Sequence, residues 1–263
     1  MTPKLLLVGG GKMGSALLTG LLAAHWAPIG DLVVSEPDAS QRARLEEAHP
    51  GLTVVAGPVE AEDVLLAVKP DVAEPVLLTL AANGARRVLS IVAGISSARL
   101  EAVMPAGSVV VRAMPNTPSL VGAGVAGLSG GMAATSGDLD WAEGILGAVG
   151  IVVRLPERQL DAVTGVSGSG PAYVFLVAEA MIEAGVSAGL ARDVSQKLVV
   201  GTLLGASRMM DETGEDPARL RAAVTSPGGT TAAAIRTLEF KAVRSAFIEA
   251  VAAAVERSRQ IGR

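Results

Sequence analysis

The stretch L-L-L-V-G-G-G-K-M-G-S-A-L-L, residues 5–18, joins an apolar run to a helix-like pattern through a glycine-rich turn. Gly9, Gly11 and Gly14 have the spacing G-x-G-x-x-G, which is typical of the turn between the first strand and the first helix of a dinucleotide-binding fold. In such a turn the first glycine permits the tight bend, the second lets a pyrophosphate approach the backbone, and the third lets the helix pack on the strand. The helix N-terminus then offers free N–H groups to an anion. The stretch therefore predicts an α/β sheet built to hold a nucleotide.

Short apolar runs alternate with helix-like patterns through the first half of the chain. Six runs are apolar throughout, which is typical of strands that are covered on both faces. They are residues 4–8, 32–35, 53–56, 64–68, 87–92 and 109–113, and helices are predicted at about 12–24, 38–48, 71–82 and 96–103, the last with Ser96 as N-cap. Two further strands are predicted at 124–129 and 151–155, on either side of a helix near 138–148. This alternation predicts the α/β class, as a Rossmann-type doubly wound parallel sheet.

The strand signals stop after about residue 156. The remaining sequence predicts helices at about 158–166, 170–188, 191–212, 216–223, 230–239 and 242–260, rich in alanine and glycine. We therefore divide the chain into a Rossmann-type NAD(P)-binding domain, residues 1–156, and an all-α domain, residues 157–263. Helices with so few large side chains would need a second copy of the chain to bury enough surface, so a homo-oligomer is expected.

The composition narrows the function classes. The 263 residues carry a formal net charge of −4 without a basic stripe, so no nucleic-acid partner is expected. No cysteine is present, and His25 and His49 lie in polar, loop-like contexts, so the sequence predicts no metal site and argues against a zinc enzyme or a Ser-His-Asp hydrolase. No signal peptide fits the N-terminus, and Glu179 and Glu183 interrupt the richest apolar stretch, 172–184, so no membrane span is expected. We expect a cytoplasmic protein.

Polar turns follow four of the predicted strands. The second strand ends at Ser35 and Glu36, where an acidic residue normally binds the adenine ribose hydroxyls and repels a 2′-phosphate. Glu36 therefore favours NADH, whereas Ser35 and Arg42 leave NADPH open. The other turns are A-V-K-P at 67–70, V-A-G at 92–94 and M-P-N-T-P at 114–118. Since ligands of open α/β sheets bind beyond the carboxyl ends of the strands, these turns outline a crevice, which Lys69 would reach.

Five motifs occur in one order: G-G-G-K-M-G, L-A-V-K-P, M-P-N-T-P, D-A-V-T-G-V-S-G-S-G-P-A-Y (161–173) and V-T-S-P-G-G-T-T (224–231). With these motifs the chain closely resembles the Δ1-pyrroline-5-carboxylate reductase family over nearly its whole length. The last two motifs are specific, and the first is shared by many dehydrogenases. The resemblance implies that NADPH or NADH reduces the cyclic imine 1-pyrroline-5-carboxylate to L-proline, the last step of proline biosynthesis. It also implies helical domains that intertwine in a homodimer, and dimers that often assemble into decamers.

The resemblance implies the site residues as well. Those expected to contact the coenzyme are Val8, Gly9, Gly10, Gly11, Lys12, Met13, Gly14, Ser35, Glu36, Ala67, Val68, Lys69, Pro70, Val92, Ala93, Gly94 and Asn116. Those expected to contact the substrate are Ser226, Gly228, Gly229, Thr230 and Thr231. Thr231 would be the catalytic group, with its hydroxyl near the imine nitrogen.

The residues of the last motif fit this chemistry. The loop S-P-G-G-T-T precedes a predicted helix and offers backbone N–H groups, two permissive glycines and hydroxyl donors, which suit the substrate carboxylate. A protonated imine is already electrophilic, so its reduction requires neither a strong acid nor a metal. The loop would otherwise be an ordinary helix stop followed by a cap.

Three other functions stay open. A related reductase would act on the six-membered ring analogue of the imine. A β-hydroxyacid dehydrogenase would need a lysine, which the turn G-V-S-G-S-G-P-A-Y-V-F (165–175) lacks. A sensor or scaffold would bind the nucleotide without turnover.

Overall fold

An eight-stranded sheet dominates the first part of the protein in a computed structural model, which describes residues 2–261. The strands are β1 (Leu5–Val8), β2 (Leu32–Ser35), β3 (Thr53–Val55), β4 (Asp63–Leu66), β5 (Arg87–Ser90), β6 (Val109–Met114), β7 (Gly124–Gly130) and β8 (Gly150–Arg154). Their order across the sheet is β3-β2-β1-β4-β5-β6-β7-β8. All eight predicted strands are therefore confirmed, with ends that shift by one or two residues.

The last two strands run opposite to the other six, whereas the sequence predicts a parallel sheet. Strands β1 to β6 run parallel, whereas β7 is antiparallel to β6 and β8 is parallel to β7. A parallel neighbour needs a crossover of a dozen or more residues. Between β6 and β7 the chain forms only a short 3₁₀ helix, Thr117–Val121, which reverses its direction.

Five helices accompany these strands. They are α1 (Lys12–Ala23), α2 (Ala39–Ala48), α3 (Pro70–Ala82), α4 (Ser97–Glu101) and α5 (Ser136–Leu146). Ser96 caps α4 as predicted, because its hydroxyl accepts a hydrogen bond from the Arg99 N–H. Pro70 is the first residue of α3, where its fixed φ suits a helix start and no N–H is needed.

The sheet is covered on both faces. Leu5 and Leu7 of β1 belong to one buried apolar cluster, and Leu6 and Val8 belong to a second cluster. Since successive strand residues point to opposite faces, this explains why β1 is apolar at every position. The covered sheet leaves the ends of its strands, rather than its faces, to hold a ligand.

Helices and the turns that join them make up the rest of the described chain. They are α6 (Leu160–Val163), a π-helical segment called here the π-turn (Thr164–Gly168), α7 (Gly170–Ser187), α8 (Arg192–Thr213), α9 (Pro217–Ala223), α10 (Thr230–Phe240) and α11 (Val243–Ile261). The predicted helix at 158–166 is thus divided between α6 and the π-turn. The other helices agree with the prediction to within a few residues.

The chain forms two compact units. Unit 1 contains residues 2–169 and 252–261, and unit 2 contains residues 170–251. This division lies beyond the boundary expected after residue 156, because α6 packs against β6 and β7. In addition, the Ser258 hydroxyl near the end of α11 donates a hydrogen bond to Asp161 at 2.7 Å.

Helices α7 and α8 form the centre of unit 2. The Ser195 hydroxyl of α8 donates to the carbonyl of Ile182 in α7 at 2.9 Å. A side chain at Gly185 would stand 2.2 Å from the Ser195 Oγ, so glycine is what lets the two helices approach so closely. Within the single chain, none of the α7 residues is buried.

The helical run Glu157–Ser187 is long and apolar enough to cross a membrane by length and composition alone, and almost none of its most apolar part is buried in the single chain. The expectation that no segment meets this criterion is therefore wrong. The reason is that a window with one or two charged residues, such as Glu179 and Glu183, can still be apolar enough on average when its other residues are mostly apolar. Its exposed side chains include Val174, Phe175 and Leu176.

Candidate active site

The glycine turn after β1 has the backbone that its sequence predicts. Gly9 has φ +102°, and a Cβ there would lie 2.5 Å from the carbonyl oxygen of Ala67. At Gly14 a Cβ would lie 2.0 Å from the Gly9 oxygen, so helix α1 packs directly against the turn. Gly11 differs, because no heavy atom of the described residues, its chain neighbours and own helix apart, lies within 4 Å of its Cβ position. No described side chain caps the helix for which Gly11 is the N-cap. The turn is therefore tight toward the protein and open on the side where an anion would approach.

Three side chains hold Gly10 from behind. Its N–H donates to Glu36 Oε2 at 2.8 Å, and its carbonyl accepts from Ser15 Oγ at 2.7 Å and from Gln41 Nε2 at 2.6 Å. The sequence did not reveal the roles of Ser15 and Gln41, since a polar residue at a helix position carries no sign of its partner. Together these contacts fix the middle peptide groups of the turn before any ligand arrives.

Glu36 also orders the loop that follows β2. Its Oε1 accepts from the Asp38 N–H at 2.9 Å, and its backbone carbonyl accepts from Arg42 at 2.9 Å. Arg42 donates a second hydrogen bond to the Pro37 carbonyl at 2.7 Å. Ser35 is only 3% exposed, so the structure does not present its hydroxyl to a 2′-phosphate. Ser35 and Arg42 are the two residues that could still have favoured NADPH as the coenzyme. The Ser35 side chain is buried, and the Arg42 guanidinium already donates to backbone carbonyls.

The turn after β4 lies beside the glycine turn. The Ala67 N–H donates to the Val8 carbonyl at 2.8 Å, and the Val68 side chain packs against an apolar cluster. Lys69 is exposed and immediately precedes α3. The side chains of Val8 and Val68 thus face the core or its edge, and only their backbone groups are placed to meet a ligand.

The turn after β5 is followed by a polar groove. Strand β5 ends at Ser90, Val92 is buried in the core, Ala93 is half-buried, and Gly94 has φ +79°. A groove of about 640 Å³ adjoins this turn and is lined by Gly94, Ser96, Arg112, Glu157, Arg158, Leu160, Asp161 and Arg259. The sequence expectation for this turn included only its backbone residues and missed the charged lining.

Glu157 is the centre of that lining. It accepts hydrogen bonds from the Ser97 N–H at 2.7 Å, from the Ser97 hydroxyl at 2.5 Å and from Arg112 at 2.6 Å. Burial by itself raises the pKa of Glu157, but these hydrogen bonds outweigh burial and hold the pKa below its usual value. The carboxylate is therefore ionised and already paired within the groove.

Asn116 does not have the position expected of a coenzyme-binding side chain. It is 7% exposed, and both ends of its amide are used within the protein. Oδ1 accepts from the Val125 N–H at 2.8 Å, and Nδ2 donates to the Ser167 carbonyl at 3.0 Å. The amide therefore joins the turn after β6 to the start of β7 and to the π-turn.

The loop before α10 belongs to unit 2 and is open at its helix end. Gly228 has φ +71°, and the Gly229 N–H donates to the Ser226 carbonyl at 3.0 Å, which closes a tight turn. Gly229 is the N-cap of α10 and supplies no side chain to the first-turn N–H groups. Within residues 2–261, no hydrogen bond joins the hydroxyl of Ser226, Thr230 or Thr231 to another protein group.

The predicted site residues thus form two groups. Those expected to contact the coenzyme lie at the carboxyl ends of β1, β2, β4, β5 and β6 in unit 1, and those expected to contact the substrate lie on one loop of unit 2. Among the residues that the structure describes, no group of three metal-ligating side chains is placed to hold a metal ion.

Two family models match the chain. The model for pyrroline-5-carboxylate reductase dimerisation matches residues 157–261. The model described as NADP oxidoreductase, coenzyme F420-dependent, matches residues 4–94.

Curated relatives and solved structures of one kind match over the full length. The pyrroline-5-carboxylate reductase of Synechocystis sp. is 44% identical, with 100% of each chain covered. The structure of a pyrroline-5-carboxylate reductase from Coxiella burnetii has a TM-score of 0.91 at 35% identity and covers 100% of each chain. The Plasmodium falciparum pyrroline carboxylate reductase, solved with NADP bound, has a TM-score of 0.87 at 31% identity and covers 99% of this chain and 98% of its own.

Proposed function

The chain belongs to the pyrroline-5-carboxylate reductase family, and on that premise we propose which of its residues carry the reaction. It is an NAD(P)-dependent oxidoreductase that reduces 1-pyrroline-5-carboxylate to L-proline, the last step of proline biosynthesis. The reduced nicotinamide supplies the hydride. The protein supplies binding, orientation and a hydrogen-bond partner for the ring nitrogen.

The coenzyme fits the glycine turn of unit 1. Gly11 leaves open space at the N-terminus of α1, and no acidic side chain lies in the first turn of that helix. The free N–H groups and the helix dipole together favour a pyrophosphate there. We assign the expected coenzyme contacts to the backbone groups at Gly9 to Met13, Ala67 to Lys69 and Val92 to Gly94.

The open N-terminus of α10 is the observation that carries the substrate assignment. A substrate with one carboxylate needs a site for one anion, and this helix start is uncapped and follows two glycines. Beyond its chain neighbours, Gly228 has no heavy atom of residues 2–261 within 4 Å of its Cβ position, so a ligand can approach the backbone closely. We propose that Ser226 to Thr231 bind the carboxylate through backbone N–H groups and hydroxyls.

Thr231 is the residue that we assign to the ring nitrogen. It is half-buried at the second position of α10, and its hydroxyl has no partner of its own among the described residues. Threonines inside the helices, such as Thr202 and Thr237, instead donate to the carbonyl four residues earlier. The Thr231 hydroxyl is therefore free to orient the protonated imine, and positioning of this kind supplies much of the rate.

Turnover by the purified protein tests the reaction and its closest alternative. We expect it to oxidise reduced nicotinamide coenzyme with 1-pyrroline-5-carboxylate faster than with the six-membered ring analogue. Absorbance of the reduced coenzyme measures both rates, and chromatography identifies proline as the product. Turnover with only the six-membered ring would change the assigned substrate, and coenzyme binding without turnover would indicate a sensor.

Glu36 is expected to set the coenzyme preference. Its carboxylate lies at the end of β2, where it would repel a 2′-phosphate. We expect Glu36→Gln to raise the ratio of kcat/KM for NADPH to kcat/KM for NADH by about 10-fold, because one repulsion between like charges is removed. Steady-state kinetics with each coenzyme measure the ratio.

Glu46→Gln is the matched control, because Glu46 is an exposed glutamate on α2. That variant should keep the wild-type ratio. An amide oxygen at position 36 can still accept the hydrogen bond from Gly10, so the glycine turn should persist in the Glu36 variant. An unchanged ratio in Glu36→Gln would show that another residue decides the preference.

The chain self-associates through its helical part, since the matching dimerisation model spans residues 157–261. We propose a cytoplasmic homodimer in which the second copy covers the apolar side chains of α7, and we retain residues 1–156 as the nucleotide-binding domain. Burial in a dimer accounts for an apolar helix that has no buried residue in the single chain. Assembly of dimers into decamers is the larger form that the family resemblance implies.

A further inference from the structure

Two sequence motifs that have no role in the site as described are joined by one side chain. M-P-N-T-P follows β6, and D-A-V-T-G-V-S-G-S-G-P-A-Y contains α6 and the π-turn. The Asn116 amide links the motifs, because its Nδ2 donates to the Ser167 carbonyl at 3.0 Å. Its Oδ1 accepts from the Val125 N–H at 2.8 Å, so the link is anchored in the sheet.

The π-turn is packed closely as well as hydrogen-bonded. The Ser169 N–H donates to the Thr164 carbonyl at 2.8 Å, which is a bond across five residues. A Cβ at Gly168 would lie 3.0 Å from the Met114 side chain, so the turn touches the end of β6. Short π-helical segments inside helices are frequent at functional sites, because they displace side chains from the regular helical positions.

The link lies at the ligand-binding edge of the sheet. Strand β6 is parallel to β5, so Asn116 follows the same carboxyl edge as the turn that contains Gly94. Strand β7 is antiparallel to β6 and therefore starts at that edge, which brings Val125 there too. In a doubly wound fold the two halves of a dinucleotide lie on opposite sides of the switch point, here between β1 and β4. With the Glu36 loop on the adenosine side, β5 and β6 lie on the nicotinamide side.

We propose that Asn116 is a positioning residue, which fixes the π-turn at the nicotinamide end of the site without touching the coenzyme. An asparagine suits this role because one amide supplies the acceptor for Val125 and the donor for Ser167 together. The inference rests on the proposed function, since its effect is on hydride transfer. It assigns a role to the motif at 161–173.

Asn116→Asp tests only the hydrogen bond that Asn116 Nδ2 donates to the Ser167 carbonyl. A protonated aspartic acid at this position keeps both hydrogen bonds, whereas the ionised form sets an oxygen against the Ser167 carbonyl. We expect kcat of the variant, relative to wild type at each pH, to be near normal at low pH. As pH rises through the pKa of the new carboxyl, which burial raises, kcat should fall by about 10-fold to 100-fold.

The KM for reduced coenzyme separates positioning from direct binding. Positioning predicts that this KM stays within about 3-fold of wild type while kcat falls, because the glycine turn is untouched. If the KM for coenzyme instead rises at every pH, Asn116 is a coenzyme ligand and the proposal is wrong. If folded Asn116→Asp keeps wild-type kcat at all pH values and only its unfolding temperature changes, the residue is merely structural and the proposal is also wrong.

Asn83→Asp is the matched control. Asn83 is the other asparagine of the chain, and its Nδ2 also faces a backbone carbonyl, that of Pro58 at 3.4 Å. It follows the C-terminal end of α3, at the far end of that helix from Lys69, so its substitution should add no pH-dependent loss of kcat.

Asn116→Ser covers the case in which the aspartate variant does not stay folded. The serine side chain is shorter and carries a single polar atom, so it cannot reach both backbone partners that the two ends of the amide reach, and kcat should fall at all pH values without the new pH dependence. Wild-type kcat in folded Asn116→Ser would overturn the proposal. Failure of the wild-type enzyme to reduce the imine would overturn the proposed function instead, which keeps the two failures distinct.

Discussion

Gly11→Ala is expected to lower kcat/KM for the reduced coenzyme by about 100-fold while the unfolding temperature stays unchanged. The backbone at Gly11 has φ −66°, which alanine adopts without strain. Apart from the chain neighbours of Gly11 and the backbone of its own helix, no heavy atom of residues 2–261 lies within 4 Å of the Cβ position, so the folded chain accommodates the methyl group. The methyl instead fills the open space where the pyrophosphate meets the start of α1. Steady-state kinetics and thermal unfolding measure the two effects separately.

Gly14→Ala, in the same turn, is expected to lower the stability of the fold, which Gly11→Ala should leave unchanged. Its Cβ would lie 2.0 Å from the Gly9 carbonyl oxygen, and this backbone atom cannot move without shifting the turn. We expect a loss of about 1–3 kcal/mol in the free energy of unfolding, as in other overpacked sites. If Gly11→Ala instead bound coenzyme like the wild type, the pyrophosphate would not lie at this turn.

The pattern of the first half predicted the fold closely, because local signals determine each part of it. Every residue of β1 is apolar since both faces of the sheet are covered, and Gly9 and Gly14 are needed by the backbone itself. The reversal at β7 was missed, because direction depends on the length and shape of a connection and not on the composition of the strand. Apolar runs look alike whichever way they run.

The side-chain partners in the site were much less predictable. Gln41 and Ser15 hold Gly10, and Asn116 holds the π-turn, through contacts that span from 5 to 51 positions of the sequence. Such pairs arise only when the tertiary fold brings two elements together, so no local period or motif signals them. The sequence identified Asn116 as a site residue from its place in a motif, but it could not tell a ligand from a support.

The exposed helices of unit 2 cannot be explained from the contacts of a single chain. α7 has an apolar composition and yet none of its residues is buried in the single chain. From sequence the Ala- and Gly-rich helices indicated a partner copy, and the match to a dimerisation model agrees with that interpretation. The run Glu157–Ser187, which contains α7, therefore meets the composition of a membrane span for the same reason that it suits an interface, because both environments exclude water from its side chains.

Thr231→Ala is expected to lower kcat/KM for 1-pyrroline-5-carboxylate by about 100-fold, with little change in the KM for coenzyme. The Thr231 hydroxyl has no partner among the described residues, so its removal leaves no protein group unsatisfied and should not destabilise α10. We expect kcat/KM to fall because no hydroxyl would hold the ring nitrogen of the substrate while reduction converts it from an imine to an amine nitrogen. Thr231→Ser keeps the hydroxyl and should recover most of the activity, whereas Thr231→Val, which keeps the shape alone, should not.

Thr237→Ala is the matched control on the same helix. Its hydroxyl donates to the Ala233 carbonyl at 3.1 Å, so its removal changes an internal hydrogen bond and leaves the helix N-terminus intact. Wild-type kinetics are expected for that variant. Equal activity of Thr231→Ala and Thr231→Ser would contradict the assignment, because it would show that the hydroxyl does not act on the substrate. A loss confined to the substrate KM would instead place Thr231 with the carboxylate, since uniform binding changes KM and leaves kcat unaltered.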